Sequence, residues 1–284
     1  MSKGFSLHEL PARIGLIRGQ NVLLSADVTR LAWTHRRSGV QQVPTLLLDA
    51  FLEYLGPEGS LVVPTFNHDL QDGESYDQRL SQPITGALPM AALTHPAFAR
   101  TRHPLHSFAV AGQLQPRFLA LDDASSFSGG SPFALFRSEG FVVVGVDMEL
   151  DYAFSYFHQV EELEQVPYRK WSDRTIHNAD HGGSMPRRYK LYAKRWGYAN
   201  RLRDLRPLLE QAGALRACDL EGTKAFVVDV GPAHSVIERD IRTNKARSIV
   251  HFTLRNWLRD LVQAVGPKTP SRSQLQLERD ARPH

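Results

Sequence analysis

Residues 43 to 64 read VPTLLLDAFLEYLGPEGSLVVP. Leu46, Leu47, Ala50, Phe51 and Tyr54 fall at helical spacing, so the first half is a helix, and Gly56 stops it. The second half, SLVVP, is a short unbroken apolar run ended by Pro64, as in a strand covered on both faces. Upstream, a short helix over LPARIG and a Gly-Gln-Asn turn lead to Val22, Leu23 and Leu24, a strand bounded by polar residues. Strand, helix, strand is the building pattern of an α/β fold.

The same pattern continues downstream. HSFAVAG (106–112), FVVVGV (141–146) and KAFVVDVG (224–231) read as strands, and RYKLYAKR (188–195) alternates as one. GALPMAALTHP (86–96) reads as a helix. So does SPFALF (131–136), with Ser131 as N-cap, Pro132 in the first turn and Gly140 as the stop. LRDLRPLLEQAGAL (202–215), despite an internal Pro207, HSVIERDIR (234–242) and IVHFTLRNWLRDLVQAV (249–265) complete the helices. Residues 67–86 lack hydrophobic periodicity and form a long loop, a kind of segment that commonly binds ligands. The expected organisation is one domain over residues 1–265. Residues 266–284 form a polar tail, expected to be disordered because it carries too few apolar groups to offset ordering entropy.

With 42% hydrophobic and 23% charged residues, the 284-residue chain can bury a substantial core. No run is apolar enough for a membrane span, and the polar start MSKGFSLHELPARIG is unlike a signal peptide, so a cytoplasmic protein is expected. The single cysteine, Cys218, excludes an internal disulfide and a thiolate metal cluster, and reads as a structural thiol. The net charge of +4 permits an anionic partner without demanding one. Residues 187–206 carry eight Lys or Arg against one Asp, with interleaved aromatics, but no nucleic-acid-binding signature accompanies them, so no nucleic acid partner is expected.

Two segments can carry chemistry. In AFSYFHQVEELEQVPYR (153–169), a helix would set His158 beside both Glu161 and Glu162. A carboxylate bonded to one imidazole nitrogen fixes the tautomer and leaves the other nitrogen to accept a proton, as a general base does. The polar edge of an ordinary amphipathic helix has the same spacing. Position favours the first reading, because open α/β sheets bind ligands just past their strand ends and this helix follows FVVVGV. The second segment is ARTRHPLHSFAVAG (99–112), where Arg102, His103, His106 and Ser107 precede a strand. Such a loop can hold phosphates, and it is equally the composition of a polar turn stiffened by Pro104. No phosphate-binding glycine loop, HExxH or GxSxG occurs. The pairs His103 with His106 and His177 with His181 lack evident partner ligands, so no metal is expected.

Taken in order, LGPEGSLVVPTF (55–66), YD (76–77), TGALPMAAL (85–93), RHPLHSFAVAG (102–112), SPFALF (131–136), VVVGV (142–146), HQVEELEQVPYR (158–169) and LLEQAGAL (208–215) resemble the aminoglycoside 3-N-acetyltransferase family. The RHPxxSF and HxxE motifs, in that order and separation, are the most specific part. The resemblance implies a three-layer α/β/α sandwich with a central mixed sheet, acetyl-CoA as co-substrate, and direct transfer to an amine of an amino sugar. It implies His158 as the base and Glu161 as its orienting carboxylate. It also implies CoA contacts at Ser25, Arg102, His103, Ser107 and Phe108, acceptor contacts at Thr65, Asn67 and Glu162, and a monomer or homodimer.

The chain departs from the family pattern at three places. Ser25, Ala26 and Asp27 stand where an HSS-like tripeptide is usual, Met90 stands where Glu is usual, and the segment after VPYR is strongly basic. Aminoglycosides are polycations, so the basic segment points to an amino-sugar acceptor carrying negative charge, such as a nucleotide-linked sugar or a surface-glycan precursor. The alternatives are an antibiotic acceptor, a non-sugar amine, or a non-catalytic polyanion-binding protein.

Overall fold

The computed structural model of the chain describes residues 6–36, 39–179, 184–266 and 269–280. Its strands are β1 (Asn21–Ala26), β2 (Ser60–Pro64), β3 (Ser75–Tyr76), β4 (Ala99–Arg100), β5 (Phe108–Gly112), β6 (Val142–Val146), β7 (Arg169–Asn178), β8 (Met185–Lys194), β9 (Tyr198–Asn200), β10 (Leu215–Leu220), β11 (Thr223–Asp229) and β12 (Val250–Phe252). Seven of them form one sheet in the order β10-β11-β6-β1-β2-β5-β4. The centre, β6-β1-β2, is parallel, and antiparallel pairs flank it on both sides.

Alternation along the central strands builds two cores. Leu23, Val62 and Val143 face one side, against Phe133 and Phe136 of helix Pro132–Ser138, Phe157 and Val160 of helix Phe157–Leu163, and Ala233 and Ile237 of helix Val230–Asn244. Val22, Leu24, Leu61 and Val63 face the other side, against Leu47, Leu48 and Phe51 of helix Val43–Leu55 and Leu88 and Ala92 of helix Ala87–Thr94. Each fully buried Leu, Val or Phe contributes about 1.5–3 kcal/mol. The sandwich is therefore three-layered around a mixed sheet, as the family resemblance implied. Gly145 of β6 pairs with Phe226 of β11, and a Cβ there would lie 2.2 Å from the Phe226 ring, so no side chain fits.

The parallel strands β1, β2 and β6 all end at one edge of the sheet. Phe108 opens β5 opposite Pro64, so residues 101–107 arrive at the same edge. A long hairpin of β7 and β8, with β3 at its side, stands beside it.

Several elements differ from expectation. β7 carries no apolar alternation, because only Arg169 and Ile176 of its ten residues are buried, and its pairing with β8 along its whole length defines it. Pro207 lies in the first turn of a helix that starts at Arg206, where its missing N–H costs nothing. The segment 249–265 is not one helix. Val250–Phe252 pairs with β9, then Thr253 Oγ1 accepts the Asn256 N–H and caps helix Leu254–Val265. Ser131 precedes its helix without capping it, and its hydroxyl donates to the Ser128 carbonyl instead.

The polar tail is ordered where it is described. Residues Arg272–Asp280 are helical and pack over the loop that follows β2. Asp69 accepts from Ser273 N and Oγ at 3.2 and 2.5 Å, Glu74 accepts from Ser271 N at 2.8 Å, and Gln274 accepts from Ser75 N at 2.8 Å. Asn67 donates to Ser273 Oγ at 2.9 Å. Carboxylate and amide partners fixed in the loop replace water for these groups, so ordering proceeds with little apolar burial beyond Leu277.

Candidate active site

Beyond β6 a single helical turn, Leu150–Ala153, leads to helix Phe157–Leu163, which turns His158 and Glu161 to one face. His158 Nδ1 lies 2.6 Å from Glu161 Oε2. Gln165, at φ 48°, folds the chain back directly after the helix, so that Tyr168 and Arg169 return to the same carboxylate. The Tyr168 hydroxyl donates to Oε1 at 2.9 Å, and Arg169 Nη2 stands 2.6 Å from Oε2 and 2.7 Å from His158 Nδ1. Nδ1 thus faces a carboxylate that can only accept and a guanidinium that can only donate; a proton on Nδ1 serves the shorter contact, to Glu161, and leaves the lone pair on Nε2. Among the described residues, Nε2 has no hydrogen-bond partner.

Glu161 is fully buried, whereas the His158 side chain is 19% exposed, so the pair is open at the imidazole alone. Burial, then the Arg169 charge, hold the imidazole pKa well below 6.5 despite the opposing carboxylate. Burial would raise the Glu161 carboxyl, but Arg169 and the hydrogen bonds from His158 and Tyr168 outweigh it and keep Glu161 ionised. The result is a neutral imidazole with one defined acceptor nitrogen.

Three consecutive residues tie the rest together. Ser125 Oγ donates to both oxygens of Glu162 at 3.1 Å, and burial, against the opposing effect of that hydrogen bond, lifts the carboxyl to about 7. Ser126 Oγ stands 2.7 Å from His106 Nδ1 and 3.3 Å from His103 Nε2. Phe127 packs edge-on against His158 with ring centres 5.3 Å apart.

A second buried hub is Arg100. Its Nε donates to Ser107 Oγ at 3.0 Å, and its Nη2 donates to the Thr65 carbonyl at 2.9 Å and to Asn67 Oδ1 at 2.7 Å. Ser107, Thr65 and Asn67, expected to meet CoA or the acceptor, are thus fully buried and bonded within the protein. Phe108 is likewise core, edge-on to Phe66, Phe133 and Phe136. His103 is buried against Tyr189.

Ser25 is placed differently. With Val63, Phe66, His68, Thr85, Met148 and Ser155 it lines a mostly apolar cavity of about 420 Å³ at the ends of β1 and β2. Arg102 is exposed and lies outside that cavity, in an open cleft of about 490 Å³ shared with Gln78, Arg79 and Phe98. Cys218 sits half-buried on β10, with its thiol pKa raised by burial, consistent with a structural role. His181 lies outside the described residues. Among the described residues, no three of His, Cys, Asp or Glu gather in a metal-holding group, and no helix is long and apolar enough to cross a membrane.

Spacing on one helix exposed His158 and Glu161 to sequence reading. Arg169 and Tyr168 were within the same quoted stretch, but only the turn at Gln165 brings them back. Arg100 and Ser125 carried no usable signal, since strand pairing and loop packing place them.

No curated protein sequence matches the chain. Among solved structures, YokD protein from Bacillus subtilis is 18% identical over 82% of this chain and 96% of its own, with a TM-score of 0.67. AAC-IIIb in binary complex with CoASH is 19% identical over 84% and 96%, with a TM-score of 0.70. A variant of aminoglycoside acetyltransferase AAC(3)-IVa in complex with apramycin is 20% identical over 85% and 94%, with a TM-score of 0.67. At these identities the likeness is one of fold. The sequence pattern of the aminoglycoside 3-N-acetyltransferases matches residues 33–241, which hold both the His158 pair and the Arg100 hub, and the chain belongs to that family.

Proposed function

We propose that this chain transfers an acetyl group from acetyl-CoA to a primary amine of an amino sugar by direct attack, with His158 as general base. The observation that carries this reading is the buried Glu161, bonded by His158, Tyr168 and Arg169, which leaves His158 Nε2 as the lone acceptor on a neutral ring. Family membership supports the chemistry, and CoASH bound to AAC-IIIb supports the donor. The apolar cavity beside Ser25 has the character to take a pantetheine arm, and it shares Met148 with a neighbouring cleft that carries Arg30 and Lys224 together with Asp27, Asp147 and Glu149.

An ammonium must first release a proton to solvent before its nitrogen can attack the thioester carbon. As the C–N bond forms, His158 Nε2 takes a second proton from that nitrogen. Glu161 stabilises the imidazolium, and as the C–S bond breaks the proton passes to the departing sulfur. No covalent acyl-enzyme is required.

The acceptor we assign is an amino sugar carrying negative charge. In the long loop after β2, Asp69, Asp72, Glu74 and Asp77 all accept hydrogen bonds from the chain's own N–H or O–H groups, so part of their accepting capacity is already used within the protein. Glu162, with its carboxyl lifted to about 7, adds only partial negative charge. The family description and apramycin in AAC(3)-IVa favour the second reading, an aminoglycoside acceptor. Acetyl transfer measured side by side with kanamycin-type and nucleotide-linked amino sugars decides between them. Robust turnover of the former alone sinks the anionic acceptor, and a His158→Ala variant that keeps its kcat sinks the base.

A further inference from the structure

His106 packs behind two residues of the cavity wall and against the ring that touches the base, and the mechanism above does not use it. Its ring stands 5.0 Å from Phe66 and stacks at 6.3 Å and 14° on His68, and both of these residues line the cavity beside Ser25. On its other side it meets Phe127 at 5.0 Å, the same ring that packs against His158.

The hydrogen bonds behind His106 fix which of its nitrogens bears the proton. His103 Nδ1 accepts from the backbone N–H groups of Leu105 and His106, both at 3.3 Å. In a neutral ring the proton of His103 is therefore on Nε2, which cannot accept from Ser126 Oγ 3.3 Å away and has the Ala124 backbone as a second acceptor. The Ser126 hydroxyl then has its own hydrogen to give, and the acceptor 2.7 Å away is His106 Nδ1. His106 is left with its proton on Nε2 and, among the described residues, with no partner for it. Burial, and then the neighbouring histidines, hold its pKa well below 6.5, so the group is a neutral donor and brings no charge into the cleft.

We propose that His106 Nε2–H donates to the carbonyl oxygen of the transferred acyl group, stabilising the oxyanion that forms as the amine attacks. This role rests on the acetyl-transfer reading of the site. A neutral donor aimed at developing charge acts in the transition state more than in the ground state, so its effect falls on kcat. Ser126 is the positioning residue. It touches no substrate and sets the tautomer that makes His106 a donor.

The test combines two readouts on the full-length protein. Long-range proton–nitrogen spectra of histidine-labelled protein should show His106 protonated at Nε2 at neutral pH, with that preference lost in Ser126→Ala. His106→Ala should lower kcat by about 100-fold with the KM for acetyl-CoA changed by less than about twofold, and His106→Gln, which returns an N–H near the same point, should recover about tenfold. Ser126→Ala should lower kcat in the same direction by a smaller factor. A spectrum showing Nδ1–H in the wild type overturns the proposal, as does a His106→Ala variant that folds and keeps its kcat. If the wild type transfers no acetyl group to any amine, the site reading falls and this role falls with it, whereas an active wild type with an unaffected His106→Ala variant removes this role alone.

Discussion

Arg169 Nη2 stands 2.6 Å from Glu161 Oε2, in a position where it also crowds His158 Nδ1 at 2.7 Å. The guanidinium thus has two opposite effects. It compensates the buried carboxylate, and it discourages protonation of the imidazole that the carboxylate orients. Both effects favour a base that is neutral when the substrate arrives.

Replacing Arg169 with Met should separate these effects. Without the positive charge the His158 pKa rises, because the larger of the two charges that lower it is gone and only burial and Lys194 remain. The rising limb of the pH–rate profile then moves to higher pH, and the variant loses relatively more activity on the acid side than the wild type does. The carboxylate left without its partner costs about 3–5 kcal/mol of stability, as for other broken buried pairs. A pH–rate profile together with urea unfolding checks both, and an unchanged acid limb would mean that Arg169 does not govern the imidazole.

A broader acid sensitivity follows from the other histidines. His68, His103, His106, His158 and His234 all have folded-state pKa values below 6.5, with burial as the largest cause in each, and His103 lies at about 4. Below 6.5 the unfolded chain binds protons that the folded chain refuses, so stability falls as pH drops towards the folded values. Glu162 acts the other way, since its pKa is raised to about 7 and the folded state takes up its proton first. One carboxyl opposes five imidazoles, so the net change is a loss. The urea midpoint should be lower at about pH 5 than at about pH 7 with little change in slope, and an equal or higher midpoint at the lower pH contradicts this.

How far sequence reading reached depended on where each signal lies. β1, β2, β5, β6 and β11 are buried strands whose apolar runs announce them, and His158 with Glu161 is a pair three positions apart on a single helix. β7 gave no such signal. Only two of its ten residues are buried, so nothing but the partner strand tells a hairpin from a polar loop. Arg169 and Arg100 belong to the site through a left-handed turn and through edge-strand pairing, geometry that a linear motif does not contain. The helix Arg272–Asp280 carries no signal in the sequence for a related reason. Composition counts the apolar groups within a segment and takes no account of hydrogen-bond partners waiting elsewhere in the chain.

Those partners make the tail a determinant of the cavity wall. The loop after β2 contributes His68 near its start and Ile84, Thr85 and Gly86 at its end to the lining of the cavity beside Ser25. Ser273, 2% exposed, is bonded to Asn67 and Asp69 on either side of His68, and Asn67 passes the constraint on to Arg100. Ser273→Asp sets a second carboxylate against Asp69 in a site with almost no water to screen the repulsion, so the tail helix should detach. Hydrogen exchange in residues 67–82 should then rise by about tenfold or more while exchange in β1 and β6 stays as in the wild type, and Ser273→Ala should show a smaller rise in the same segment. If exchange rises equally in β1 and β6, the tail stabilises the whole domain and has no special hold on the loop. If it rises in 272–280 alone, the loop keeps its shape unaided, and the bonds to Asn67 and Asp69 order the tail without ordering the cavity.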